Sequence, residues 1–118
     1  MIAITGAGEY LDIIRPYDEI LLNKLKDDPY VVCFPTAAGL ESNERIQYWL
    51  DLGDDHFSKL NVNHKSIRAL NVDDYNKPET LAEIEKANFV YFSGGNPNHL
   101  YETLSSSLAW EKLLTIHK

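Results

Sequence analysis

The whole chain has a single cysteine, Cys33. No intrachain disulfide can form, and a cytoplasmic address is the expectation. Basic residues are few: 11 Lys and Arg against 18 Asp and Glu leave a net charge of −7. Nucleic acid or an anionic membrane would want clustered cations, so neither is expected as a partner. No apolar run approaches the length of a membrane span. No basic segment precedes the apolar Ile2-Ala3-Ile4, which argues against a secretion signal. Metal-ligand spacing is also missing. Asp54, Asp55 and His56 lie together, but no second cluster accompanies them, and they read as a solvated helix face. No metal and no cofactor are expected.

What remains is an ordinary globular composition, 44% hydrophobic and 25% charged, sufficient for one domain over residues 1–118. Short apolar runs alternate with amphipathic segments. Strands are expected at residues 1–5, 30–34, 66–70 and 89–92. Helical stripes run through Ile20, Leu21, Leu22 and Leu25, and through Ile46, Trp49, Leu50, Gly53, Phe57 and Leu60 in a long helix over 41–60. Another stripe holds Leu81, Ile84 and Ala87 behind Pro78. Asn96 is placed to cap a helix beginning at Pro97, and a last helix covers 109–116.

Strand–helix alternation four times over predicts an α/β fold, a doubly wound parallel sheet with helices on both faces. The runs Val31-Val32-Cys33-Phe34 and Phe89-Val90-Tyr91-Phe92 are apolar without alternation, as strands covered on both faces should be. In such sheets ligands bind beyond the carboxyl ends of the strands. Those ends here are the small-residue loops 5–9, 35–39 and 93–96.

Each loop has a chemical reading and a structural one. Gly94 and Gly95 could direct two backbone N–H groups at an anion, or could simply make a tight turn into the next helix. Gly6-Ala7-Gly8 fits a dinucleotide fingerprint poorly. Leu11 stands at the third glycine position, and the second strand ends in Pro35-Thr36 rather than in an acidic residue. Cys33 lies within an apolar strand and reads as a buried, inert thiol. Ser93 makes a poor nucleophile elbow, which needs small residues on both sides; Gly95 is at +2 but Tyr91 is at −2. His99 falls in the first turn after the glycines and reads as a surface residue, and His64 and His117 carry no signal.

Taken in order, several pieces resemble the dipeptidase E and cyanophycinase family of serine peptidases, within the class I glutamine-amidotransferase-like fold. They are Gly6-Ala7-Gly8-Glu9 after the first strand, Pro35-Thr36-Ala37 after the second, Leu52-Gly53 in the long helix, and Phe92-Ser93-Gly94-Gly95-Asn96 after the fourth. The family often has a third glycine where Ala7 stands. The resemblance covers the N-terminal half of the family's domain. It implies a peptidase of short peptides in which Gly94 or Gly95 supplies half of an oxyanion hole. Gly8, Glu9, Thr36 and Asn96 would then face the substrate. It also implies that the nucleophilic serine and the catalytic histidine follow later in the domain, beyond Lys118. The expectation is thus a truncated peptidase-like chain, inactive alone. The alternatives are a non-catalytic small-anion-binding module and one half of a split enzyme.

The expected strand order is 3-2-1-4, with the sheet incomplete relative to the family's. That order leaves Phe89–Phe92 at an edge with unpaired backbone groups, so self-association through this strand is expected.

Overall fold

In the computed structural model, residues 2–4, 15–25 and 28–117 are described. The elements run β1 (Ile2–Ile4), α1 (Arg15–Asn23), β2 (Tyr30–Phe34), a 3-10 turn (Thr36–Ala38), α2 (Asn43–Lys59) and β3 (Asn63–Ser66). Then follow α3 (Val72–Tyr75), α4 (Pro78–Lys86), β4 (Phe89–Phe92), α5 (Pro97–Ser105) and α6 (Ala109–His117).

The four strands form one parallel sheet in the order β3-β2-β4-β1. From β1 to β2 to β3 the chain advances across the sheet, and from β3 to β4 it doubles back. Right-handed crossovers running in opposite directions leave the sheet on opposite faces. The side chains follow suit. Val31, Cys33, Phe89 and Tyr91 pack with Leu22 of α1 and Phe57 of α2. Their alternates Val32, Phe34, Val90 and Phe92 pack with Ile84 of α4, Leu104 of α5 and Leu113 of α6. Both faces of β2 and β4 are covered, which is why these strands read as unbroken apolar runs. Each large side chain buried there contributes about 1.5–3 kcal/mol by leaving water.

The order corrects the expected 3-2-1-4. β4 lies between β2 and β1, with Val90 in register with Val32 on one side and Ile2 on the other. Phe89–Phe92 is therefore an interior strand, and the expected self-association through its edge loses its premise. The physical reason is burial: all four residues of β4 are buried, and the sheet's centre is where such a strand gains most.

The third strand is also displaced. It occupies Asn63–Ser66 rather than 66–70, and its side chains alternate between exposed and half-buried. A polar strand at the border of a sheet resists further pairing. Ile67 and Ala69 follow the strand's end, where Ala69 N–H turns back to Ile67 O at 2.9 Å and Ala69 is buried in the core.

Helix ends follow local chemistry. Ser42 Oγ accepts the Arg45 N–H at 3.2 Å and starts α2. Asn61, in the left-handed region at φ 56°, ends it. Asn61 N–H donates to Ser58 O at 3.1 Å and Val62 N–H to Phe57 O at 3.4 Å, satisfying the last carbonyls.

One surface expectation fails outright. His56 is buried, not solvated, and its Nε2 lies 2.7 Å from Asp18 Oδ2, itself buried on α1. Asp54 and Asp55 do face outward. The pair ties α1 to α2, across the face that holds Phe57 and Tyr91.

Candidate active site

The carboxyl ends of β2 and β4 lie side by side, and Ile4 in register with Phe92 brings the end of β1 beside them. Residues 93–96 are thus flanked by 35–39 on one side. The loop after β1, with the candidate residues Gly8 and Glu9, lies outside the described residues.

The ladder between β2 and β4 continues one step, as Ser93 N–H donates to Phe34 O at 3.2 Å. Ser93 is buried, and its hydroxyl also turns back to Phe34 O, at 3.5 Å. It faces the scaffold rather than solvent, in keeping with its poor fit to an elbow. The chain then turns through the two glycines. Gly95 has φ 153°, a conformation side chains rarely adopt, and a Cβ there would stand 2.4 Å from both C and O of Ala37. Only hydrogen fits. Asn96 N–H then donates to Ala37 O at 2.7 Å and fastens the two loops together.

Asn96 is the helix cap the sequence predicts. Its Oδ1 accepts the N–H groups of Asn98 at 3.0 Å and His99 at 3.1 Å, and Pro97 takes the first helical position. Among the described residues, neither the Gly94 nor the Gly95 N–H has a hydrogen-bond acceptor. Gly95 and Asn96 are exposed and Gly94 is half-buried. Among the described residues nothing takes these two donors, which sit at the positive end of α5, where an anionic oxygen is favoured.

Thr36, expected to face the substrate, is turned inward. It is fully buried, and its Oγ1 donates to Ala69 O at 2.6 Å. Its hydroxyl proton being spent, the second contact, with Tyr75 Oη at 2.5 Å, has the tyrosine as donor. Burial pushes the Tyr75 phenol well above its ordinary value, so it keeps the proton it donates. The Thr36 side chain thus fixes the 3-10 turn to the segment after β3. The turn holds Ala37 against Gly95. His99, expected at the surface, is half-buried, with Nε2 2.9 Å from Leu70 O. Its pattern of neighbours was illegible in one dimension, because Gly39 and Leu70 come from two other loops.

Neither a protein-family model nor a curated protein matches the sequence. Solved structures do. A peptidase from an acI-B1 Actinobacterium superposes with a TM-score of 0.87 at 31% identity, over 96% of this chain and 48% of that one. A candidate peptidase E protein from Listeria monocytogenes EGD-e superposes with a TM-score of 0.62 at 16% identity, over 98% of this chain and 52% of that one. The second likeness is one of fold, and the first is one of sequence as well. The described helices include none long and apolar enough to cross a membrane. In fold the chain is peptidase E-like, and it spans about half the length of the structures it matches.

Proposed function

We propose that this chain supplies the oxyanion-binding half of a serine-type peptidase site of the glutamine-amidotransferase-like kind, acting on short peptides. The observation that supports the reading is the pair of N–H groups at Gly94 and Gly95, for which the described residues offer no acceptor, on a loop fastened through Asn96 to Ala37. In acyl transfer, attack on the scissile carbonyl moves an electron pair onto its oxygen. A fixed N–H aimed at that oxygen stabilises the tetrahedral intermediate without reorganising. The partner donor would be the N–H following the nucleophile. Asn96, exposed beside the glycines, would border the substrate.

The nucleophile and base come, on this reading, from the rest of the family's domain, on the same polypeptide or another. The Ser93 hydroxyl, turned to Phe34 O at 3.5 Å, supports a nucleophile elsewhere. That same observation favours one alternative: these residues alone form a small-anion-binding module without chemistry. A cytoplasmic address rests on the lone, buried Cys33.

The test is hydrolysis of short peptides by the purified 118-residue chain, alongside binding of free amino acids. The expected result is no turnover, with the carboxylate of a bound amino acid at the glycine loop. Turnover that disappears in Ser93→Ala would overturn the assignment and make Ser93 the nucleophile.

A further inference from the structure

His99 sits in the first turn of α5, three residues beyond the cap. A carbonyl oxygen only accepts, so His99 Nε2, 2.9 Å from Leu70 O, carries the proton and donates it. The backbone N–H of the same residue donates to Asn96 Oδ1 at 3.1 Å. The ring reaches Leu70 by passing over Gly39, where a Cβ would stand 3.1 Å from Nε2 and 3.0 Å from Leu70 O.

The acceptor is itself fixed. Leu70 N–H donates to Asp74 Oδ2 at 2.9 Å, and the preceding carbonyl, of Ala69, takes the Thr36 hydroxyl. A line of bonds therefore runs from the segment after β3, through the His99 ring, into the cap at Asn96. From Asn96 it continues to Ala37 and the contact with Gly95. The cap itself does not depend on the ring: Asn96 Oδ1 and Pro97 start α5 without it. What the ring adds is an anchor for the helix start against a third loop.

We infer that His99 is a positioning residue: its Nε2–H, held by Leu70 O, fixes the first turn of α5 and so the direction of the Gly94 and Gly95 N–H groups. The inference rests on the reading of those groups as donors to an anion.

The experiment compares the wild-type chain with His99→Ala and His99→Gln. Amide exchange at Asn96, whose N–H is bonded to Ala37 O, reports the loop's hold. Sulfate titration followed at the Gly94 and Gly95 amides reports its use. Loss of one such bond predicts exchange at Asn96 faster by about three- to tenfold, and sulfate affinity weaker by a similar factor. Val32 and Val90, deep in the sheet, keep wild-type exchange. His99→Gln, which restores an N–H donor at similar reach, returns both readouts to near wild type, a rescue that mere side-chain volume would not produce.

Unchanged exchange and affinity in His99→Ala overturn the inference. So does a His99→Gln chain that behaves like His99→Ala. Should His99→Ala fail to fold, His99→Gln decides alone: wild-type exchange at Asn96 supports the role, and accelerated exchange defeats it. If the wild-type chain binds no sulfate at the loop, the anion reading falls, and Asn96 exchange in the variants still decides what His99 positions.

Discussion

Asn96 donates its backbone N–H to the carbonyl of Ala37 across 2.7 Å, and this bond joins the loops that leave two neighbouring strands. Gly95 lies directly over the same residue. The double glycine therefore has two separate explanations. Gly95 is required by close approach and by a positive φ, whereas Gly94 contributes an N–H that nothing described consumes.

Gly95→Ala should consequently destabilise the chain. A methyl 2.4 Å from Ala37 must push the two loops apart, at φ 153° besides. Backbone strain of this kind and overpacking each cost about 1–3 kcal/mol. Urea unfolding should show a lower midpoint with an unchanged slope. An unchanged midpoint would mean the loops are not packed as described.

The buried pair of His56 and Asp18 makes a second prediction. Asp18→Ala removes one partner of a buried, hydrogen-bonded pair, which typically costs about 3–5 kcal/mol. Against a usual total of about 5–15 kcal/mol, that is a large fraction. Replacing both residues with leucine should recover much of the loss, and a double-mutant cycle in urea measures the coupling. Additive effects would contradict the pairing.

Tyr30 and Glu83 set a pH dependence at the opposite end of the sheet. Tyr30 Oη donates to Glu83 Oε2 at 2.5 Å. Burial, and then Glu83, push the Tyr30 phenol up to about 12. A folded value above the unfolded one means the contribution is complete below about pH 10. It is lost as pH rises from there toward 12. The Tyr30 bond first, then Lys65 and Lys86, hold the Glu83 carboxyl below its ordinary value against a smaller opposing effect of burial. That contribution is complete above the ordinary carboxylate range and is lost as pH falls. Melting temperatures across pH should decline at both ends, and Tyr30→Phe should flatten both declines. A Tyr30→Phe profile parallel to wild type would contradict the assignment.

The sheet order is tested at Tyr91. In an edge strand, Tyr91→Lys would be tolerated and would discourage association. In the observed order Tyr91 is fully buried, with its ring centroid 5.8 Å from that of Phe57 and 6.2 Å from that of Phe89. A lysine there would have to bury an ammonium among rings. The variant should not fold under conditions where wild type does, as circular dichroism would show. A folded, soluble Tyr91→Lys chain would argue for an exposed β4.

These two central strands were legible in the sequence to the residue, because burial on both faces leaves an unbroken apolar run bounded by Pro35 and by Ser93-Gly94. Strand order was not. Which strand inserts between which depends on pairings between distant segments, and nothing local distinguishes a β4 beside β1 alone from a β4 between β1 and β2. The polar Asn63–Ser66 escaped for the opposite reason: a border strand need not be apolar. His56 was legible in principle, since it falls on the same helical stripe as Trp49, Gly53, Phe57 and Leu60. The adjacent Asp54 and Asp55 disguised it. At the site, the glycines and the Asn96 cap were visible as a motif. The inward turn of Thr36 and the reach of His99 were not, because their partners Ala69, Tyr75 and Leu70 lie 33, 39 and 29 residues away.

The measurement that bears most directly on the glycine loop is an amide-resolved titration of the 118-residue chain with sulfate and with acetate. Both anions should shift the Gly94 and Gly95 amide resonances saturably and in parallel, with smaller effects at Asn98 and His99, whose N–H groups are already taken by Asn96 Oδ1. The shifts should weaken with added salt, as a charge–dipole contact would. Glycine amides that stay put at saturating anion, while β2 and β4 remain folded, would contradict the oxyanion reading and leave the loop a turn.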